Sequence, residues 1–313
     1  MKYSVLIPTY KAAFLAKCID SILAQSYEDF ELVIVNDASP ENIDEIVAKY
    51  SDPRIRYYMN AKNCGAVDVV DNWNICLGYA KGDFVICMGD DDELSTDCLE
   101  QYNLLMDDYP NLDIYHARTK IIDENSEFVT LQEERPKYET VFSLMLHKLS
   151  GQRQFIGDFL YKRSTLLENG GFYKLPMAWG SDDISAYIAA CSHGIANTQK
   201  PTFYYRENRQ TISRSGDATV KIEAINREEE WYNGFANRNF ILSDIEQMYL
   251  LMIREKLKVY FQKKKLYLIA GEISIRGFFR YIHWLRSRHV SGLSSKETTY
   301  ALIEGLKMYY KNK

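Results

Sequence analysis

Two hydrophobic periodicities alternate through the first 117 residues, and this alternation constrains the fold more than any other feature of the chain. Short apolar runs at Tyr3–Ile7, Glu31–Val35, Arg54–Met59, Asp83–Met88 and Leu112–Ala117 read as strands, the first stopped by Pro8. Between them, Phe14–Gln25 carries a helical stripe, with apolar residues at 14, 15, 18, 19, 22 and 23. Asn42–Tyr50, Val67–Ala80 and Thr96–Asp107 also read as helices. The pattern predicts an α/β fold, a mostly parallel sheet with helices on both faces. Ligands of such sheets bind outside the carboxyl ends of the strands. That rule points to Pro8–Lys11, Asn36–Ser39, Met59–Gly65 and Gly89–Glu93.

Residues 118–215 are less regular, with Gly170-Gly171 and a short strand at Thr202–Arg206. From about residue 220 the pattern is helical and free of proline, so a soft boundary falls near 217. No internal repeat or low-complexity tract is present. The 313 residues suffice for one large domain or two moderate ones. No apolar stretch approaches the ~18 residues of a membrane span. MKYSVLIPTYK has too short an apolar run for a signal peptide. The six cysteines show no C-x-x-C pair and are expected as reduced, buried thiols of a cytoplasmic protein.

Net charge is −5, unevenly spread. Residues 221–313 hold 17 Lys and Arg against 10 Asp and Glu, a net +7, which leaves −12 on residues 1–220. An acidic body with a basic tail argues against nucleic acid as a partner and is compatible with a tail that meets an anionic surface.

Gly89-Asp90-Asp91-Asp92-Glu93 follows an apolar strand. Four adjacent carboxylates repel one another, and a hard divalent cation such as Mg²⁺, completed by substrate phosphates, would relieve them. The same residues also suit a solvated turn before a helix. Asn36-Asp37-Ala38-Ser39 offers a carboxylate to a base or ribose, and equally offers turn chemistry. Tyr10, after Pro8 and Thr9, can stack on a nucleobase or simply pack. Asp182-Asp183 opens a helical stretch and suits capping. There is no G-x-G-x-x-G, no P-loop and no G-x-S-x-G, and the five histidines show no zinc-ligand spacing.

Taken in order, seven segments resemble the family-2 glycosyltransferases: VLIPTYK at 5–11, ELVIVNDAS at 31–39, Asn63-Cys64-Gly65, Asn72-Trp73-Asn74 ahead of AKGDFVICMGDDDEL at 80–94, Gly170-Gly171-Phe172, Gly180-Ser181-Asp182-Asp183, and YYRENRQTIS at 204–213. The resemblance covers about 210 residues and implies a Rossmann-like nucleotide-sugar-binding fold of the glycosyltransferase A type, followed by a helical C-terminal region. It implies a catalytic domain over 1–217, divided into a nucleotide-binding half (1–117) and an acceptor half (118–217), with the helical region at 218–313. It places Pro8, Thr9 and Tyr10 at the base, Asp37 on the base or ribose, and Asn63, Gly65 and Asn74 along the nucleotide side of the cleft. Asp91 matches the family's metal-binding aspartate. Asp90 and Asp92 flank it, toward the sugar or the metal. Asp183 matches the general base of inverting members, with Asp182 in support. Three departures stand out: Gly89 replaces the first aspartate of the usual D-x-D-D, the Asn63–Asn74 segment is long, and Asn208 stands where a histidine is common.

The function these motifs imply is metal-dependent (Mn or Mg), inverting transfer of a sugar, expected from a UDP-hexose, to a hydroxyl of a glycan or lipid-linked glycan, in bacterial surface polysaccharide assembly. A nucleotidyltransferase and an inactive sugar-nucleotide-binding scaffold are the rivals. The C-terminal region lies outside the resemblance. Within Ser274–Arg288 a helical wheel gathers Phe278, Phe279, Tyr281, Ile282 and Leu285 opposite Arg276, Arg280 and His283, just after Lys263-Lys264-Lys265. Such a face can pack on the body or on a second subunit, or lie as a peripheral contact at the inner face of the cell membrane.

Overall fold

A computed structural model of the chain describes residues 1–208 and 216–311. Positions 209–213 of the YYRENRQTIS segment lie outside the described residues. The chain divides into two compact units. The first takes Met1–Lys174 and resumes at Ser181; the second takes Leu175–Gly180 and the described residues from 216 on.

The first unit is built on a ten-stranded sheet. Its strands are β1 (Tyr3–Thr9), β2 (Phe30–Asn36), β3 (Ile55–Met59), β4 (Phe84–Cys87), β5 (Glu93–Leu94), β6 (Ile114–Ile122), β7 (Phe128–Leu131), β8 (Tyr138–Glu139), β9 (Phe159–Lys162) and β10 (Ile195–Arg206). Their order is β3-β2-β1-β4-β9-β6-β10-β5, with β7 on β6 and β8 on β10. The pairs β1–β2, β1–β4, β2–β3 and β6–β10 are parallel, while β9 runs antiparallel between β4 and β6. Helices α1 (Leu15–Leu23), α2 (Ile43–Val47), α3 (Val69–Tyr79), α4 (Cys98–Asp108), α5 (Val141–Leu149), α6 (Arg163–Glu168) and α7 (Ser181–Ala190) complete this unit.

β1 is a near-continuous apolar run because a central parallel strand is covered on both faces, and Tyr3, Val5, Leu6 and Ile7 are fully buried. The stripe read on α1 buries Leu15, Cys18, Ile19 and Ile22 in the same core. Gly82, just before β4, passes so close to β1 that a Cβ there would stand 2.5 Å from the Tyr3 carbonyl carbon. All six cysteines are free thiols.

Several elements differ from the sequence reading. β6 continues to Ile122, and β10 starts at Ile195, seven residues earlier than expected, because it crosses a register irregularity around Pro201 that breaks the apolar pattern. The reversed strand β9, the hairpin strand β7 and the two-residue strands β5 and β8 lack a periodic signal of their own.

The second unit contains α8 (Ala218–Ala236), α9 (Asp244–Arg276), α10 (Phe278–Arg286), α11 (Arg288–Ser291) and α12 (Ser295–Lys311). The wheel drawn over Ser274–Arg288 needs correction. Gly277, at φ +82°, ends α9 and starts α10, so that stretch is two helices. Trp284 is the buried anchor of α10, and its indole N–H donates to Glu272 Oε2 at 2.6 Å. Arg280 also pairs with Glu272, at 2.8 Å, while Lys264 pairs with Glu228 and Lys265 with Glu229. Much of the basic face is thus engaged inside the unit, whereas Phe278 and Phe279 are exposed. Among the described residues, no helix is long and apolar enough to cross a membrane.

Candidate active site

The carboxyl ends of β1, β2 and β4 meet through side chains that the sequence separates by up to 81 residues. β1 ends at Thr9, and Asp90, beyond β4, reaches it: Asp90 Oδ2 accepts from Thr9 Oγ1 at 3.1 Å and from the N–H groups of Tyr10 and Lys11 at 2.8 Å each. One carboxylate therefore fixes the loop after β1. Burial, and then the charge of Asp91, push its pKa up to about 6 despite these donors. Tyr10 itself is 42% exposed at the surface of this loop. Pro8 sits in β1, in register with Val35.

On the β2 side, the Asp37 N–H donates to the Thr9 carbonyl at 2.9 Å. The Asp37 carboxylate accepts from Asn60 Nδ2 at 2.8 Å and from the Cys64 N–H at 2.9 Å. Asn63 Nδ2 donates to the Asp37 carbonyl at 2.8 Å, and Gly65 turns the chain at φ +82°. The 60–65 segment is thereby wrapped onto the end of β2. Asn74 stands in α3. Its amide pairs in both directions with the Phe172 backbone, accepting from the N–H at 2.7 Å and donating to the carbonyl at 3.2 Å. It ties α3 to the Gly170–Phe172 turn.

The acidic turn folds back over Gly89. A Cβ at that position would stand 2.7 Å from Asp91 Oδ1 and 2.9 Å from Asp92 Oδ2. The space of the missing first aspartate is thus filled by the two that follow. Asp91 accepts from Asn208 Nδ2, so the segment after β10 touches the acidic turn. Asp92 is 4% exposed and accepts from the Arg206 N–H at 2.9 Å. Burial pushes both carboxyls above the ordinary carboxylate range, joined at Asp92 by repulsion from Asp91. A cation beside them would relieve both penalties. The donor set fits a hard divalent ion: carboxylate oxygens from the protein, with phosphate oxygens and water left to complete the shell. Asp91 and Asp92 would hold it. Among the described residues, no three His, Cys, Asp or Glu side chains form a full cage.

Arg206, at the end of β10, is a residue whose role the sequence reading missed. It is fully buried, donates through Nε to the Asp91 carbonyl at 2.7 Å, reaches the Asp123 carbonyl and Ser126, and pairs with Glu93. Its place inside the YYRENRQTIS segment was the available signal.

Asp182 and Asp183 lie in the first turn of α7. Asp183 is 1% exposed, and its Oδ2 stands 2.7 Å from Lys148 Nζ on α5. Asp182 is partly exposed. Burial, and then the Asp182 charge, push the Tyr161 hydroxyl well up.

A family model described as glycosyl transferase family 2 matches residues 4–172. A glycosyltransferase of Haemophilus influenzae is 26% identical over 271 residues, covering 82% of this chain and 88% of that protein. One from Rickettsia typhi is 25% identical over 173 residues, and there the chain spans about half of the relative's length, 53%. Among solved structures, residues 1–349 of Staphylococcus aureus TarS with UDP-GlcNAc match with a TM-score of 0.68 at 17% identity, over 99% of this chain and 89% of that one. The mannosyltransferase PcManGT of Pyrobaculum calidifontis, with GDP-Man and Mn²⁺, matches with a TM-score of 0.53 at 17% identity, over 100% and 88%. At that identity the two structures share the fold.

Proposed function

The chain belongs to glycosyl transferase family 2, and from that premise we propose that it moves a hexose from a UDP-sugar to a hydroxyl of a glycan or lipid-linked glycan, with inversion at the anomeric carbon. The observation that carries the reading is the convergence of Asp91 Oδ1 and Asp92 Oδ2 over Gly89, beside the loop that Asp90 fixes at the end of β1. Residues 1–117 form the donor half and 118–217 the acceptor half. Thr9, Tyr10 and Asp37 line the base and ribose, and Asp91 and Asp92 would hold a divalent ion, which when bound would supply charge neutralisation for the departing diphosphate.

Asp183 takes the proton of the acceptor hydroxyl. The acceptor oxygen forms its bond to the anomeric carbon as the bond from that carbon to the diphosphate oxygen breaks, and UDP leaves. A base of this kind has to reach the hydroxyl within ~2.6–3.2 Å in the reactive complex. Asp182 orients the acceptor or the helix start. The setting is bacterial surface polysaccharide assembly, with the exposed Phe278 and Phe279 of α10 as the membrane-side contact.

Titration calorimetry of UDP with and without Mn²⁺, followed by UDP release from a panel of UDP-hexoses, tests the reading. Manganese-dependent tightening and turnover support it. Binding without turnover points to a scaffold, and no metal effect removes Asp91 and Asp92 from the assigned role.

A further inference from the structure

We infer that Gln154 and Arg135 are a positioning pair for the Asp183 carboxylate; this rests on Asp183 being the base. Gln154 lies in the segment between α5 and β9, and Arg135 precedes β8. Both are buried, at 5% and 4% exposure. With its amide turned so that nitrogen faces the carboxylate, Gln154 donates to Asp183 Oδ1 at 2.7 Å, and its oxygen accepts from Arg135 Nη1 and Nη2 at 3.2 and 3.0 Å. A guanidinium is a donor only, so Arg135 selects the amide orientation in which the nitrogen must face Asp183. Lys148 Nζ holds the other oxygen, Oδ2, at 2.7 Å.

Arg135 is held in turn. Its Nη1 stands 3.9 Å from Glu139 Oε1, and Glu139 accepts from Asn197 at 3.1 Å and Ser143 at 2.7 Å and pairs with His147 at 3.2 Å. Burial would push Glu139 up, but these partners, His147 and Arg135 foremost, hold it below the ordinary carboxylate range. The chain Glu139–Arg135–Gln154 therefore delivers one oriented donor to Asp183 and fixes the plane of its carboxylate. The charged and titratable groups facing Asp183 are Lys148 from α5, Arg135 beyond Gln154, Tyr161 from β9 and Asp182 beside it on α7. On neighbouring β6 and α6, His116 faces Asp158 and Arg163 donates to the Gly82 carbonyl.

The test is the pH profile of nucleotide release by the full chain with Mn²⁺, using whichever of UDP-glucose, UDP-galactose, UDP-GlcNAc and GDP-mannose the wild type turns over fastest. Gln154→Leu should lower kcat ~10-fold at neutral pH, move the acid limb up by about one pH unit, and leave the donor KM unchanged, since one hydrogen bond to a carboxylate is lost. Arg135→Lys should move the limb in the same direction by less, because the fork that locks the amide is gone. Gln154→Glu keeps the contact to Arg135 and sets a carboxylate against Asp183, so its limb should move further. This variant is decisive if Gln154→Leu does not fold. A folded Gln154 variant with an unmoved acid limb overturns the positioning role, while an inactive Asp183→Asn measured alongside leaves the base assignment standing. An Asp183→Asn variant with wild-type turnover overturns both.

Discussion

The Arg206 N–H donates to Asp92 Oδ1 at 2.9 Å across 114 residues of sequence, and the same residue's guanidinium sends its Nε to the Asp91 carbonyl at 2.7 Å. One arginine at the end of β10 thus shapes the acidic turn that follows β4. A guanidinium does this well because its donors are rigid and spread in a plane. Arg206→Met should destabilise the protein by about 3–5 kcal/mol, since Glu93 loses its charged partner and the Asp91 and Asp123 carbonyls each lose a guanidinium donor. Arg206→Lys should recover only part of that. Chemical denaturation of the two variants checks the order, and equal stability for both would remove the directional argument.

Asp91 and Asp92 separate by substitution. Asp91→Ala should abolish the manganese-dependent tightening of UDP while the fold survives. Asp92→Asn keeps an oxygen for the Arg206 N–H but removes a charge that burial and Asp91 disfavour, so stability should hold or rise while metal dependence weakens. Calorimetry and melting curves on the same samples decide it; normal Mn²⁺ dependence in Asp91→Ala would eliminate that residue as a ligand.

Asp182 and Asp183 point about 100° apart on α7, so one position can face the acceptor hydroxyl while the other cannot. Asp183→Asn should lose turnover by ~10²–10⁴-fold with UDP affinity little changed, and Asp182→Asn should lose less. A dead Asp182→Asn beside an active Asp183→Asn reverses the assignment.

His116 is buried, with its Nε2 3.4 Å from Asp158 Oδ2. Burial, then the charge of Arg135, hold its pKa below the ordinary imidazole value. The unfolded chain therefore binds this proton first as pH falls. The stability His116 contributes is fully present above about pH 6.5 and is lost below it. The raised carboxyls of Asp90, Asp91 and Asp92 act in the opposite sense over the same range, so the His116 contribution is read as a difference: between pH 7 and pH 5 the denaturant midpoint of the wild type should lose more, or gain less, than that of His116→Gln. An unchanged slope in the variant would exclude His116 as the titrating group.

Phe278 and Phe279 are 57% and 84% exposed at the start of α10. Binding of the full chain to phosphatidylserine-containing vesicles should be stronger at low than at high salt, because a basic segment is screened by ions. Phe278→Ser with Phe279→Ser should weaken it at both. Negligible binding under all conditions would leave packing or self-association for this face.

The sheet was readable wherever burial on both faces writes a continuous apolar run, as in β1, β2 and β4, or where a helix buries one stripe, as in α1. β9 was not, because its apolar run of three residues, 159–161, is too short to distinguish a reversed strand from a loop. Pairing to Phe203 and Tyr204 makes a strand of Glu93–Leu94, and nothing local signals it. At the site, the chemistry-bearing residue types were visible in sequence, but their partners were not. Asp90 meets Thr9, Tyr10 and Lys11, Asp183 meets Lys148, and Asn74 meets Phe172 through contacts spanning 35 to 98 residues. Periodicity carries no trace of such distances.

Gly89 sets a limit on engineering by family consensus. Placing at 89 the aspartate that the family's D-x-D-D pattern would imply would set a Cβ inside 3 Å of two carboxylate oxygens and add a third negative group to a pair already opposed by burial. In this chain the empty position is a spatial allowance that the next two residues have taken up, and a change that looks like repair would evict them. Any ancestral or consensus redesign of the turn has to treat residues 89–92 as one inheritable block, exchanged together or left alone.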